Sequence, residues 1–170
     1  VITNHAGTMG QHLNNVVAYT PIRVDGKLLG FFALLVHWID IGGSVVGSCS
    51  SSTATEIWQE GVQFRTVKLI SRGKRVAEIF RMIEYNTRFP TLLLGDLEAQ
   101  IGGCMMGCDL MRDIGEKYGP DAIEQAVSAM RRDADTSVAK ILKDVPPGEY
   151  RASSFLVDDG INIGKNIPID

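Results

Sequence analysis

The chain has 170 residues, 45% hydrophobic and 22% charged, enough apolar material for one well-buried core and too much for a disordered chain. Seventeen basic residues stand against twenty acidic ones, for a net charge of −3, and nowhere do Lys and Arg gather densely enough to follow a phosphate backbone, so no nucleic-acid partner is expected. The longest apolar run, 28–36, is far short of the roughly 20 residues of a membrane span, and no membrane partner is expected either. A single domain is the expectation over 1–170, with 1–70 mainly β, 76–143 mainly helical and 149–170 an extended tail. Three cysteines, Cys49, Cys104 and Cys108, without a secretory signal point to a reducing compartment, hence the cytoplasm. The chain opens on Val1 inside a strand-like run, without an initiator methionine, and is expected to be a piece of something larger.

In chain order, the first predicted element is a hairpin. Two apolar segments, 16–23 and 28–36, flank Asp25-Gly26, the pair that best satisfies a two-residue turn with positive φ at both positions. With that loop, paired positions sum to 51, which sets His12 opposite Ile39 and diagonal to His37 on one face. A one-residue slip would separate the two rings onto opposite faces. The Gly/Ser stretch 42–52 reads as a surface loop able to wrap a site. Thr53 and Glu56 have capping-box spacing for a short helix to Glu60, stopped by Gly61. A strand is predicted over 62–70, closed by the turn Ser71-Arg72-Gly73-Lys74.

Val76, Ile79, Phe80 and Ile83 fall at helical spacing, giving a helix to Tyr85. Leu93, Leu97, Ile101, Cys104, Cys108 and Met111 keep that spacing after Pro90, across Gly102, Gly103 and Gly107, each costing roughly 1 kcal/mol relative to alanine. Close packing against a neighbouring backbone is the expected compensation. Two thiols four residues apart share a helix face, but a zinc site would want a second pair, so Cys104 and Cys108 read as core residues. Gly119-Pro120 ends this helix. Another is predicted from Asp121 to Lys143 with Ile123, Val127, Met130, Ala134, Val138 and Ile141 inward. Strands first and helices after imply an α+β fold, an antiparallel sheet with helices packed on one face.

The polar constellation is Asn4, His5, Gln11, His12, Asn14, Asn15, His37 and Asp40, and it holds all three histidines of the chain. Two readings of His12 and His37 stand side by side. They are hydrogen-bonded histidines at strand ends, or with the Asp40 carboxylate they form a catalytic two-histidine, one-carboxylate set suited to zinc, manganese or iron(II). The second reading needs a bend at 41–43, because Asp40 lies three residues past His37 and a straight strand would turn it to the other face. His5 and Asn15 are further candidate donors. Asn86 and Arg88 are candidates for gripping an anionic substrate, and Asp96 is either a substrate-facing carboxylate or a helix cap. Trp38 and Trp58 read as packing residues. No phosphate-binding glycine motif occurs, so this chain has no nucleotide site of its own.

The segments 4–15, His37-Trp38-Ile39-Asp40-Ile41-Gly42-Gly43, 55–61, Asn86-Thr87-Arg88-Phe89-Pro90, and Gly95-Asp96-Leu97 with Ala99-Gln100 resemble, in order, the motifs of B-type subunits of the hydantoinase/5-oxoprolinase family. That family includes the B-type components of N-methylhydantoinases, caprolactamase, and subunits of acetone and acetophenone carboxylases. The resemblance implies that the chain is an internal portion of a larger B-type subunit, in a hetero-oligomer where a partner of the A type binds ATP and phosphorylates a lactam, hydantoin or ketone enol. The B-type component then completes hydrolysis of the cyclic amide or carboxylation of the ketone. Where members carry a metal, the resemblance places its ligands at His12, Asn15 and His37. Two departures stand out: Asn15 replaces the family aspartate, and His5 replaces the aspartate of N-D-P. The amide is a neutral, weaker donor. A non-catalytic subunit that keeps the fold around a decayed site is the reading those departures favour.

Overall fold

Asp25 and Gly26 take φ of 48° and 78°, the paired left-handed geometry that a tight hairpin between right-twisted strands requires. In the computed structural model, which describes all residues except 6, 9–11, 49–53, 160 and 170, this turn joins β2 (Asn15–Val24) to β3 (Lys27–His37). The expected register holds for Val24↔Lys27 and Arg23↔Leu28, then shifts by one, so that Ile22 pairs Gly30 and Asn15 pairs His37. The extra residue is Leu29, and the shift falls beside Gly30, which carries a φ of 158°. A glycine inside a strand often marks such a bulge.

The short strand β1 (Ile2–Thr3) pairs the other edge of β2, giving the order β1-β2-β3. One face of this sheet carries Val16, Ala18, Ile22 and Val24, with Phe32, Leu34 and Val36 from β3. Against it lies α2 (Pro90–Tyr118), whose Leu93, Leu97, Cys104 and Cys108 are buried. The α+β arrangement with helices on one sheet face is thus what forms.

The α2 glycines answer to side chains rather than to backbone. A Cβ on Gly107 would strike the Phe32 ring, one on Gly115 would strike Val24, and one on Gly103 would crowd Leu34, whereas Gly102 faces open space. Helix α1 (Ala77–Tyr85) buries Ile83 and half-buries Ile79 and Phe80. The turn at 71–74 forms between β4 (Ile70–Ser71) and β5 (Lys74–Arg75).

The segments on either side of Gly61 differ from expectation. The segment 62–69 is not a regular strand: it meets β1 through Ile2↔Val67 and the residue after β1 through Asn4 N–H to the Phe64 carbonyl, with Thr66 at φ 59° interrupting it. The helix expected before Gly61 is a single 3₁₀ turn, Ile57–Gln59, entered from an extended Glu56. Its Gln59 carbonyl is already taken by the Ser44 amide and hydroxyl. Thr53, Cys49, the serines 50–52 and Gln11 lie outside the described residues.

The chain divides into two compact units, Val1–Pro120 and Asp121–Asp170, where composition suggested one domain. The second holds most of α3 (Pro120–Leu142) and a hairpin of β6 (Ser154–Leu156) and β7 (Ile167–Ile169). Of the α3 positions predicted inward only Ile123 is buried; Val127, Met130, Val138 and Ile141 are exposed. Among the described residues no helix is long and apolar enough to cross a membrane.

Candidate functional site

His37 ends β3 and lies directly across from Asn15, the first residue of β2, so both side chains share the sheet face turned away from α2. His12 is not part of the ladder. It precedes β2 in a turn closed by Asn15 N–H to the His12 carbonyl at 2.9 Å. That turn folds its ring back onto His37: the Nε2 atoms are 3.1 Å apart and the ring centroids 5.1 Å, with the planes tilted by 35°. The slipped register therefore does not part the rings, because His12 reaches His37 from the turn rather than along the strand. A hydrogen bond at 3.1 Å needs a proton on one Nε2 and a lone pair on the other. The His37 side of the pair is exposed and open to a reactant.

Asp40 is placed differently from expectation. The bend forms, with Gly42 and Gly43 at φ of 87° and 80°, but it wraps the chain around the carboxylate instead of returning it to the histidines. Asp40 has no exposed surface and accepts four hydrogen bonds: from Gly42 N–H at 3.1 Å, Gly47 N–H at 2.8 Å, Arg88 N–H at 3.0 Å and the Arg88 guanidinium at 2.8 Å. Burial on its own pushes the carboxyl upward, but the hydrogen bonds from Arg88, Gly47 and Gly42 outweigh it and hold it below its ordinary value of 3.8. Removing one partner of a fully buried pair costs about 3–5 kcal/mol, and less is expected here because the Arg88 side chain is 37% exposed.

Arg88, expected to grip an anion, is turned onto oxygens of this chain. Besides Asp40, its guanidinium donates to the carbonyls of Val45 at 2.9 Å, Gly43 at 2.7 Å and Gly42 at 3.3 Å. Asn86 caps α1, donating its side-chain amide to the Met82 carbonyl, while its own carbonyl sits where a Cβ on Gly42 would come. Asp96 is exposed in the second turn of α2, too far along the helix to cap it. His5 accepts the Gly7 N–H on Nδ1. Among the described residues, no three His, Cys, Asp or Glu side chains stand together as a metal-holding group. Of the candidates, the structure brings together His12, Asn15 and His37.

Residues to which the sequence assigned no separate role hold the backbone on either side of the pair. Buried Asn14, between His12 and Asn15, donates to the Trp38 carbonyl at 2.9 Å and the Gly47 carbonyl at 3.1 Å, and Trp38 N–H returns a bond to the Asn14 carbonyl at 2.8 Å. Buried Asn4 donates to the Leu13 and Val62 carbonyls and accepts Phe64 N–H. From α2, buried Gln100 accepts the Trp38 indole N–H at 3.0 Å and donates to the Val16 and Leu34 carbonyls at 2.8 Å each. Trp38 packs as expected, with no exposed surface, whereas Trp58 is 71% exposed. The legible signal for these clamps was a cluster of amides in apolar company, since a buried amide must find partners.

The fold recurs in solved structures. The ATP-dependent caprolactamase of Pseudomonas jessenii matches with a TM-score of 0.88 and 30% identity over 96% of this chain and 28% of that one. A nucleotide-free acetone carboxylase matches with a TM-score of 0.63 and 18% identity over 71% of this chain and 16% of that one, a likeness of fold alone. Among curated sequences, the B component of a putative D-/L-hydantoinase from Pseudomonas sp. strain NS671 is 33% identical over 80% of this chain and 23% of its own length. The hydantoinase B/oxoprolinase family model matches residues 1–170, and the chain belongs to that family. It spans about a quarter of the length of the hydantoinase and caprolactamase relatives.

Proposed function

We propose that this chain carries part of the reaction centre of an ATP-dependent cyclic-amide hydrolase, acting on an intermediate that an A-type partner subunit has phosphorylated. One observation carries the reading: two imidazoles from separate segments converge at 3.1 Å on an accessible face, held by a frame of buried hydrogen-bonded side chains. The names of the relatives, a hydantoinase component and an ATP-dependent caprolactamase, supply the substrate class. Phosphorylation of the amide oxygen makes the ring carbon electrophilic. Water adds there, the C–N bond opens with the nitrogen leaving protonated, and the acyl phosphate that results releases phosphate to a second water. Once a reactant separates the two rings, the Nε2 that had accepted can take the proton of the attacking water and the Nε2 that had donated can supply one to the departing nitrogen.

The donor chemistry also fits a divalent cation. Two ligands at about 2.0–2.1 Å from a tetrahedral zinc stand about 3.3 Å apart, close to the observed separation. His12 and His37 would hold the ion with Asn15 as a neutral third donor, and it would polarise a carbonyl or phosphoryl oxygen. Asn15→Asp then tightens binding of manganese or zinc about tenfold or more, read by calorimetric titration.

The test uses the full-length protein with its partner and follows ATP hydrolysis and ring opening with a hydantoin, a lactam and 5-oxoproline. His12→Ala and His37→Ala are expected to lower ring opening by about a hundredfold or more while assembly persists. Unchanged turnover in both variants would leave a non-catalytic subunit. Dependence of ATP hydrolysis on bicarbonate with a ketone would instead make the protein a carboxylase component.

A further inference from the structure

Arg88 sits between α1 and α2, far in sequence from His12 and His37, yet hydrogen bonds run from it to both flanks of the pair. Its guanidinium holds the Asp40 carboxylate and the Gly42, Gly43 and Val45 carbonyls, occupying from within what is otherwise a loop of oxygens facing a cation. Asp40 in turn holds Gly47 N–H. The Gly47 carbonyl is held by the Asn14 amide, which also grips the Trp38 carbonyl. Asn14 and Trp38 are the neighbours of Asn15 and His37.

We infer that Arg88 is a positioning residue for the imidazole pair, a latch that sets the 40–48 loop and through Asn14 fixes the spacing of His12, Asn15 and His37. The inference rests on the pair being the reaction centre. It accounts for two features that substrate binding leaves unexplained. The carboxylate is entirely buried, so no reactant reaches it, and both terminal nitrogens of the guanidinium are turned onto oxygens of this chain. The planar fork of arginine matches that ring of acceptors, and a lysine ammonium at the same place cannot span it.

The test uses the full-length protein in its complex and compares wild type, Arg88→Ala, Arg88→Lys and His12→Ala. In Arg88→Ala, kcat is expected to fall about thirtyfold with KM within about threefold, because the reacting groups are misplaced while the substrate is still bound. The amides of Trp38 and Asn15, both hydrogen-bonded here, are expected to exchange about tenfold faster, with α2 amides unchanged. Guanidinium at about 20 mM, far below denaturing concentration, restores both, while urea at the same concentration restores neither. Arg88→Lys, which keeps charge and folding but not the fork, shows the same changes in smaller measure.

Wild-type exchange at Trp38 and Asn15 in the arginine variants, or a loss of kcat that guanidinium does not repair in a folded Arg88→Ala complex, overturns the latch. If His12→Ala turns over at the wild-type rate, the reading of the pair as reaction centre fails instead, and the exchange data judge the latch alone.

Discussion

The two compact units use similar apolar patterning and arrive at opposite results. In Val1–Pro120, positions spaced for a buried helix face are buried: Leu93, Leu97, Cys104 and Cys108 pack on the sheet. In Asp121–Asp170, α3 shows an equally regular stripe, yet Met130, Val138 and Ile141 are more than half exposed, as are Phe155 and Leu156 of the terminal hairpin. Periodicity states which residues share a face. Whether that face is covered depends on shape on the other side, and only the first unit displays it, in the glycines of α2 and the Phe32 and Val24 side chains that fill them.

Substitutions sharpen this contrast, the largest effects first. Leu97→Ala, at 0% exposure, is expected to cost about 2–5 kcal/mol in equilibrium unfolding, whereas Ile141→Ala, at 67%, stays within about 0.5 kcal/mol. Equal losses would mean that the α3 stripe is covered in solution. Alanine at Gly43, whose φ is 80° and whose Cβ would land on the Gln59 and Glu60 carbonyls, is expected to cost about 3 kcal/mol; at Gly164, with the same φ and open surroundings, about 1 kcal/mol. Gln100→Leu leaves two buried carbonyls and the Trp38 indole without their partner and is expected to cost about 2–3 kcal/mol.

Smaller still is a pH effect on the loop. Since the folded Asp40 carboxyl titrates below its ordinary value, its contribution is complete above about pH 4 and fades as pH falls through the lowered value. Amide exchange at Gly42 and Gly47, corrected for its intrinsic pH dependence, is therefore expected to loosen only in acid below that point. Loosening at pH 5–6 would be inconsistent with the four hydrogen bonds. Burial pushes the Cys104 and Cys108 thiols up, so native protein is expected to resist alkylation at both.

Much of the first unit was legible because its signals are local. Asp25-Gly26 dictates a left-handed turn, the α1 and α2 spacings dictate faces, and Gly119-Pro120 ends α2 at Tyr118. The register was not, since one bulge at Leu29 shifts every pair beyond it, and Gly30 was the only mark of it. The proximity of His12 and His37 was legible too, although by a route the sequence did not disclose: a turn at 12–15 replaces the expected diagonal. Asp40 was misplaced because spacing from His37 says nothing of Arg88, which arrives from 48 residues away to claim the carboxylate. Side chains that hold backbone, such as Asn14 and Gln100, leave no periodic trace at all.

The most direct measurement is a double-mutant cycle on ring opening by the full complex, with His12→Ala, His37→Ala and the double variant. If the two imidazoles work as one unit, each single substitution should cost nearly as much as both together. Losses that simply add, or a double variant that still opens the ring at the wild-type rate, would contradict a shared centre.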